Sequence, residues 1–200
     1  MRATEFNKLK SAFKSGVVYR REDLVSLSTN VDRYLARLVQ DGTLKRLNRG
    51  LYACPLKTAF GEAPPDESSL LRSFLRDDHF VVYSPNSFNG LGLGMTQLYN
   101  QRLVFNRKRH GAHTVGGRSY LFFRWREAPK ELTQEFLLVA LLNQLTELAE
   151  DGKAVLSRLS TRLAQFDLRR VKYAAKHYGT YSTQLKLRKL LNSEQERHAV

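Results

Sequence analysis

Apolar positions in the first 55 residues follow two rhythms. Phe6, Leu9, Ala12 and Phe13 recur at helical spacing, and Gly16 stands where a helix would end. Val17-Val18-Tyr19 is long enough only for a short strand, and Arg21–Val25 predicts a short second helix. Ser26-Leu27-Ser28 forms a turn rich in capping residues, from which Ser28 or Thr29 can cap a third helix. Val31, Leu35 and Leu38 make the buried stripe of that helix, which ends at Asp41-Gly42. Two apolar runs follow, Leu44–Leu47 and Leu51–Ala53. Asn48-Arg49-Gly50 between them predicts a tight β-hairpin.

Beyond residue 55 the rhythm breaks over Pro55–Asp66, which holds Gly61, Pro64 and Pro65 and reads as a linker. A helix is expected over Ser69–Leu75, then strands near Phe80–Tyr83, Gln101–Phe105 and Tyr120–Trp125. Between the first two strands, Ser84 and Pro85 can start a short helix that Gly90 or Gly92 ends. In the third strand, alternation puts Leu121, Phe123 and Trp125 on one face, and Phe122, Arg124 and Arg126 on the other. Thr133 can cap a helix over Gln134–Glu150 whose Phe136–Leu142 run is apolar all round and therefore central to a core, with Gly152 as its stop. Leu156, Leu159, Leu163 and Phe166 stripe the next helix, with Arg158 and Arg162 outside. Asp167 can cap a further helix with Val171, Ala174 or Ala175, and Tyr178 inward. Arg169, Lys172 and Lys176 lie outward, and Gly179 stops it. The expected fold class is α+β: a winged helix-turn-helix over residues 1–55, a linker over 56–66, and a domain over 67–200 that combines a small β-sheet with C-terminal helices.

Charge sharpens this picture. The chain carries 33 Lys+Arg against 19 Asp+Glu, a formal net charge of +14. The excess is blocked: net +6 over residues 1–55, +7 over 101–126 without a single acid, and +9 over 153–191, where Asp167 is the one acid. Residues 56–100 and 127–152 are net acidic. Separate basic faces of this kind predict a polyanionic partner. The lone Cys54 excludes an intramolecular disulfide and Cys-based zinc fingers. The polar N-terminal stretch predicts no secretory leader, and Phe136–Leu142 is too short to span a membrane. A cytoplasmic protein with no membrane partner is expected.

In a winged helix-turn-helix the third helix enters the major groove, its exposed N-terminal residues facing base edges. Those positions are Ser28, Thr29, Asn30, Asp32 and Arg33. Asn30 and Arg33 bring the donor sets that discriminate bases, and Arg37 one turn on would meet a phosphate. Lys45, Arg46 and Arg49 place three cations on the hairpin, where backbone or minor-groove contacts are expected. A second candidate surface, for an acidic partner or RNA, comprises Arg158, Arg162, Arg169, Lys172 and Lys176.

Other constellations weigh less. Gly90-x-Gly92-x-Gly94 follows a strand but has GxGxG spacing, not GxGxxG, and lacks the acid expected further on in a dinucleotide site. His110 and His113 have no Cys or carboxylate close in sequence, and read as part of a basic hairpin tip with Arg107-Lys108-Arg109. Asp77-Asp78-His79 marks a turn before a strand. Tyr120–Arg126 interleaves aromatics and cations, as stacking surfaces do, but fits a half-buried strand better. No catalytic residue, metal site or cofactor is expected.

Three segments carry a family resemblance. The stretch Tyr34–Tyr52 joins a helix, the acidic-Gly turn Asp41-Gly42 and a wing ending in Arg49-Gly50-Leu51-Tyr52. Ser84–Gln97 joins a strand end, a small-residue helix, Gly92-Leu93 and Thr96-Gln97, and Tyr173-Ala174-Ala175-Lys176-His177-Tyr178-Gly179 closes a helix. Together they resemble the AbiEi-type antitoxin family. That resemblance implies a winged-helix module that binds operator DNA, as inverted repeats, and represses its own operon. It also implies a C-terminal domain that opposes a nucleotidyltransferase-like toxin in phage defence. Two alternatives remain: a transcription regulator whose second domain senses a ligand or dimerises, and a nucleic-acid-processing enzyme delivered by its winged helix.

Overall fold

The structure, a computed structural model, describes residues 2–198, with side chains over residues 5–192. The chain divides into two compact units. The first comprises Met1–Asp78 with Ala112–Tyr120, the second His79–Gly111 with Leu121–Val200. The architecture is α+β, with small sheets and a helical C-terminal half.

The first unit opens with α1 (Arg2–Ser11), β1 (Val18–Arg20) and α2 (Arg21–Leu24). A 3-10 turn over Val25–Leu27 leads to α3 (Val31–Gln40), then β2 (Lys45–Asn48) and β3 (Leu51–Ala53). The three strands form an antiparallel sheet in the order β1-β3-β2, with a bulge in β2 between Arg46 and Asn48. The expected stripe of α3 is buried: Val31, Leu35 and Leu38, joined by Tyr34, pack with Leu9, Leu24 and Leu44 into one core. Gly42 lets the chain reverse after α3 because it adopts a φ of +76°, in the left-handed region.

The segment expected as a linker holds a second hairpin, β4 (Leu56–Thr58) with β5 (Gly61–Ala63), closed by a bond from the Thr58 hydroxyl to the Gly61 carbonyl oxygen. Its strands are three residues each and mostly exposed, so no apolar alternation announced it. α4 (Glu67–Leu75) follows, capped by the Asp66 carboxylate, which accepts from the Ser69 backbone N–H at 2.8 Å. The first unit therefore extends to Asp78, past the boundary expected at residue 55.

In the second unit, β6 (Phe80–Tyr83) pairs antiparallel with β7 (Leu103–Asn106), which pairs parallel with β9 (Arg118–Arg124). The Ser84 cap and Pro85 start are present, but the short helix over Pro85–Leu91 is 3-10, and Gly92 ends it. β8 (Gly111–Val115), which the sequence did not announce and which belongs to the first unit from Ala112 onward, follows β9 in the strand order β6-β7-β9-β8. Arg107-Lys108-Arg109 consequently lies in the connection between β7 and β8, strands that are not neighbours. His113 sits inside β8, not at a hairpin tip. Leu121, Phe123 and Trp125, each partly buried, pack on the main core, as alternation predicts, and Phe122 on the opposite face is fully buried.

That core surrounds α5 (Gln134–Gln144), capped by Thr133. Every residue from Phe136 to Leu142 is buried. Gly152 does not stop this helix: α5 ends at Gln144, and Gly152 begins α6 (Gly152–Arg162), because the Asp151 carboxylate caps the Lys153 and Ala154 backbone N–H groups. α7 (Leu168–Tyr178) is capped by Asp167, and α8 (Tyr181–His198) is a final helix not expected from the sequence.

Two outcomes follow. Leu138, fully buried in α5, should cost about 2–5 kcal/mol when replaced by Ala, measured by urea unfolding. The Arg170 and Arg169 backbone N–H groups, with both guanidinium charges nearby, hold the Asp167 carboxyl below the usual range. The stability it contributes is therefore present above the ordinary Asp pKa and is lost as pH falls through the depressed folded value. Asp167→Asn keeps the cap geometry and should flatten that acid-side slope in thermal melts at stepped pH.

Candidate nucleic-acid interface

The residues expected at the start of α3 divide into two kinds. Ser28 is buried: its hydroxyl oxygen accepts from the Asn30 backbone N–H at 3.0 Å and its hydroxyl donates to the Glu5 carboxylate at 3.3 Å. It shapes the turn into α3 and does not face solvent, unlike the groove-facing position expected for it. Asn30, not Ser28 or Thr29, occupies the N-cap, without a side-chain capping bond. Thr29, Asn30, Arg33 and Arg37 are exposed. Arg37, in the last turn of α3, lies over the Phe6 ring, its guanidinium carbon 4.6 Å from the centroid.

Asp32 would place a negative charge on this face. Arg21, at the start of α2, pairs with it through two bonds of 2.6 Å, from Nε to Oδ1 and from Nη2 to Oδ2. The guanidinium holds the Asp32 carboxyl below its usual range, keeping it ionised and matched by a cation. Sequence reading missed this partner because the residues are 11 apart and on different helices.

Lys45, Arg46 and Arg49 are all exposed on or beside β2, an edge strand. The hairpin tip is braced. Asn48 accepts from the Arg49 backbone N–H at 2.7 Å and donates to the Thr114 carbonyl oxygen at 3.0 Å, while the Gly116 N–H donates to the Leu47 carbonyl oxygen. The Gly50 carbonyl oxygen accepts from the Arg21 N–H at 2.9 Å. Because Arg21 also holds Asp32, one residue ties the hairpin tip to the exposed start of α3.

The second candidate surface splits. Arg158 donates to the Leu93 and Gly94 carbonyl oxygens at 3.1 and 3.3 Å, and Arg162 donates to the Gly92 carbonyl oxygen. Both arginines thus clamp the loop after β6, although Arg158 remains exposed and Arg162 is half-buried. Gly92 and Gly94 take φ near +66° and +69°, and a Cβ at either would collide with the guanidinium packed on it. The loop therefore offers carbonyl oxygens to cations, the reverse of a phosphate cradle. Its donors are also engaged: the Glu150 carboxylate accepts from the Thr96 and Gln97 N–H groups at 3.3 and 3.2 Å. A glycine triplet and two arginines one turn apart on a later helix were each visible in sequence, but nothing local linked them.

Arg169, Lys172 and Lys176 do lie exposed on α7. Beside them is an aromatic pair that sequence reading did not single out. The Tyr173 ring stacks on His177 at 4.1 Å and 28°. His177 Nδ1 lies 2.6 Å from the Glu127 carboxylate, and the His177 carbonyl oxygen accepts from Trp125 Nε1 at 2.8 Å.

The triplet Asp77-Asp78-His79 sits where the chain passes from the first unit to the second. His110 and His113 fall in different units. Among the described residues, no helix is long and apolar enough to cross a membrane.

No family model and no curated protein matches the chain. Among solved structures, it is similar to the RV2827C protein from Mycobacterium tuberculosis, at 17% identity with a TM-score of 0.54, covering 96% of this chain and 77% of that one. At that identity the likeness speaks to the fold alone.

The clamp on the loop makes a prediction. Arg158→Ala and Glu150→Ala each remove two hydrogen bonds, and each should speed chymotrypsin cleavage after the exposed Leu98 roughly five- to thirtyfold, as expected for about 1–2 kcal/mol in total. Arg169→Ala should leave the cleavage rate unchanged.

Proposed function

We propose that the protein is a sequence-specific DNA-binding repressor that also acts as the antitoxin of a toxin–antitoxin pair, working in the cytoplasm by binding and not by catalysis. One observation carries the first half. The first unit runs α1-β1-α2-α3-β2-β3, the element order of a winged helix-turn-helix, and the exposed cations Arg33, Arg37, Lys45, Arg46 and Arg49 stand on the two elements such a module presents to DNA. Asn30 and Arg33 at the start of α3 are assigned to base edges, and Thr29 and Arg37 to its margins. Lys45, Arg46 and Arg49 are assigned to the phosphate backbone. The matched Asp32–Arg21 pair supports this reading, since it removes an uncompensated negative charge from the helix that would approach phosphates.

The antitoxin half rests on the resemblance carried by Tyr34–Tyr52, Ser84–Gln97 and Tyr173–Gly179. It assigns to the second unit the task of opposing a nucleotidyltransferase-like toxin, with operator repression in the first unit and inverted repeats as the DNA target. The part of the second basic surface on α7, the exposed Arg169, Lys172 and Lys176, is its candidate working face.

The test is duplex binding across a salt series. If about six phosphates are neutralised, log Kd against log salt should have a slope magnitude near 5. Arg33→Ala should cost about 1–3 kcal/mol on the preferred sequence while sparing random DNA, whereas Arg49→Ala should weaken both alike. A flat salt response, or an Arg33→Ala variant that keeps full sequence preference, overturns the assignment. Protection of cells from a co-expressed cognate toxin should survive Arg33→Ala and Arg49→Ala but fail when Arg169, Lys172 and Lys176 are all reversed to Glu.

A further inference from the structure

Three features of the second unit converge on the outer side of α7. The first is a cleft of about 300 Å³ between α7 and α8, lined by Lys172 and Lys176 from α7 and by Gln184 and Arg188 from α8, over an apolar floor that includes Ala175 and Leu187. Among the described residues its charged lining is cationic. The second is the Tyr173–His177 stack, one residue further round α7 than Lys172 and Lys176. Tyr173 is 56% exposed, so part of its ring is open to solvent beside these cations. The third is the support on the His177 side of that stack: its Nδ1 lies 2.6 Å from the Glu127 carboxylate, and its carbonyl oxygen accepts from the Trp125 indole N–H at 2.8 Å. Trp125 is itself flanked in the chain by the exposed Arg124 and Arg126.

A surface for an acidic protein segment needs cations but not a fixed, open aromatic face. A groove for single-stranded nucleic acid needs both. Cations track the phosphates, and a ring that does not reorient gives a base its stacking partner without an ordering cost at the moment of binding. Duplex DNA does not suit the pair, since its bases are already stacked on one another. We propose that the α7–α8 strip binds single-stranded nucleic acid, with a base stacked on Tyr173 and the flanking phosphates held by Lys172, Lys176 and Arg188. The proposal deepens the assignment of this basic face as the working surface of the second unit, and it is independent of the duplex interface on the first.

The chain supplies its own reporter. Trp125 is the single tryptophan and is bonded to the residue under Tyr173, so occupancy of the strip should change its emission. The experiment uses the full chain with labelled, unstructured RNA and DNA strands of about 12 nucleotides, read by anisotropy and by tryptophan emission. Wild type should bind a single strand, and competition between the RNA and DNA strands identifies the source it prefers. Tyr173→Ala should weaken binding about tenfold, Tyr173→Trp should restore it, and Lys172→Glu with Lys176→Glu should abolish it. None of these variants should alter duplex affinity, and Arg33→Ala or Arg49→Ala should leave single-strand affinity unchanged, which separates failure here from failure of the duplex reading. Absence of single-strand binding by wild type overturns the proposal and favours an acidic protein surface. So does a Tyr173→Ala variant that binds as wild type, or single-strand binding lost in the Arg33 and Arg49 variants instead.

Discussion

The second unit depends on one constraint: α5 has no face that tolerates water. Seven consecutive residues, Phe136–Leu142, are buried, so the strands, the 3-10 segment after β6 and the helices α6 to α8 contribute to one core around it. At roughly 25 cal/mol per Å² of apolar surface, a helix enclosed on all sides contributes more than any neighbouring polar contact. Its polar ends then set positions. Asn143 donates to the Tyr178 carbonyl oxygen at 2.9 Å and accepts from the Thr180 N–H at 2.9 Å, which fixes the corner between α7 and α8. Gln144 donates to the Tyr83 hydroxyl, whose burial pushes the phenol up and keeps it neutral.

The charge pattern of the surface follows from that burial. α7 turns Val171, Ala174, Ala175 and Tyr178 toward the core, so helical spacing leaves Lys172, Tyr173 and Lys176 outside. α6 obeys the same rule with a different result. Its exposed-side arginines meet the carbonyl oxygens of the Gly92–Gly94 loop, and their charge goes into holding chain together. Basic residues at matching helical spacing on two helices thus have opposite fates, decided by whether a carbonyl-rich loop lies across them.

This is also where sequence reading stopped. Signals local to a few residues were legible: the stripe of α3, the β2–β3 hairpin around Asn48-Arg49-Gly50, and the caps at Ser84, Thr133 and Asp167. Each rests on periodicity or on a side chain reaching its own next turn. What was missed depends on partners far along the chain or on weak local pattern. The β4–β5 hairpin and β8 are short strands with little continuous burial. Gly152 was ambiguous because glycine can follow a helix or sit inside its first turn, and the Asp151 cap decides between them. Ser28 was correctly placed at the turn before α3, but its burial depends on Glu5, 23 residues away. The clamp arginines, 65 and 70 residues from their acceptors, had no local signature.

The two basic surfaces, under the proposed reading, meet their ligands by different physics. On the first unit the cations stand on backbone braced at both ends. Asn48 and Gly50 fix the hairpin tip, and Arg21 ties that tip to the start of α3, so the spacing between reading helix and wing is set before DNA arrives. Rigid spacing suits a duplex, whose groove and phosphates repeat at fixed distances. On α7 the cations are long, exposed side chains free to follow an irregular strand, and the fixed element is the Tyr173–His177 stack held by Glu127 and Trp125. A single strand has no fixed phosphate spacing, but every base has a face. One rigid ring among adaptable cations therefore selects for strandedness without selecting for sequence. Rigid backbone with several cations selects for a duplex, and rigid aromatic with mobile cations for its absence.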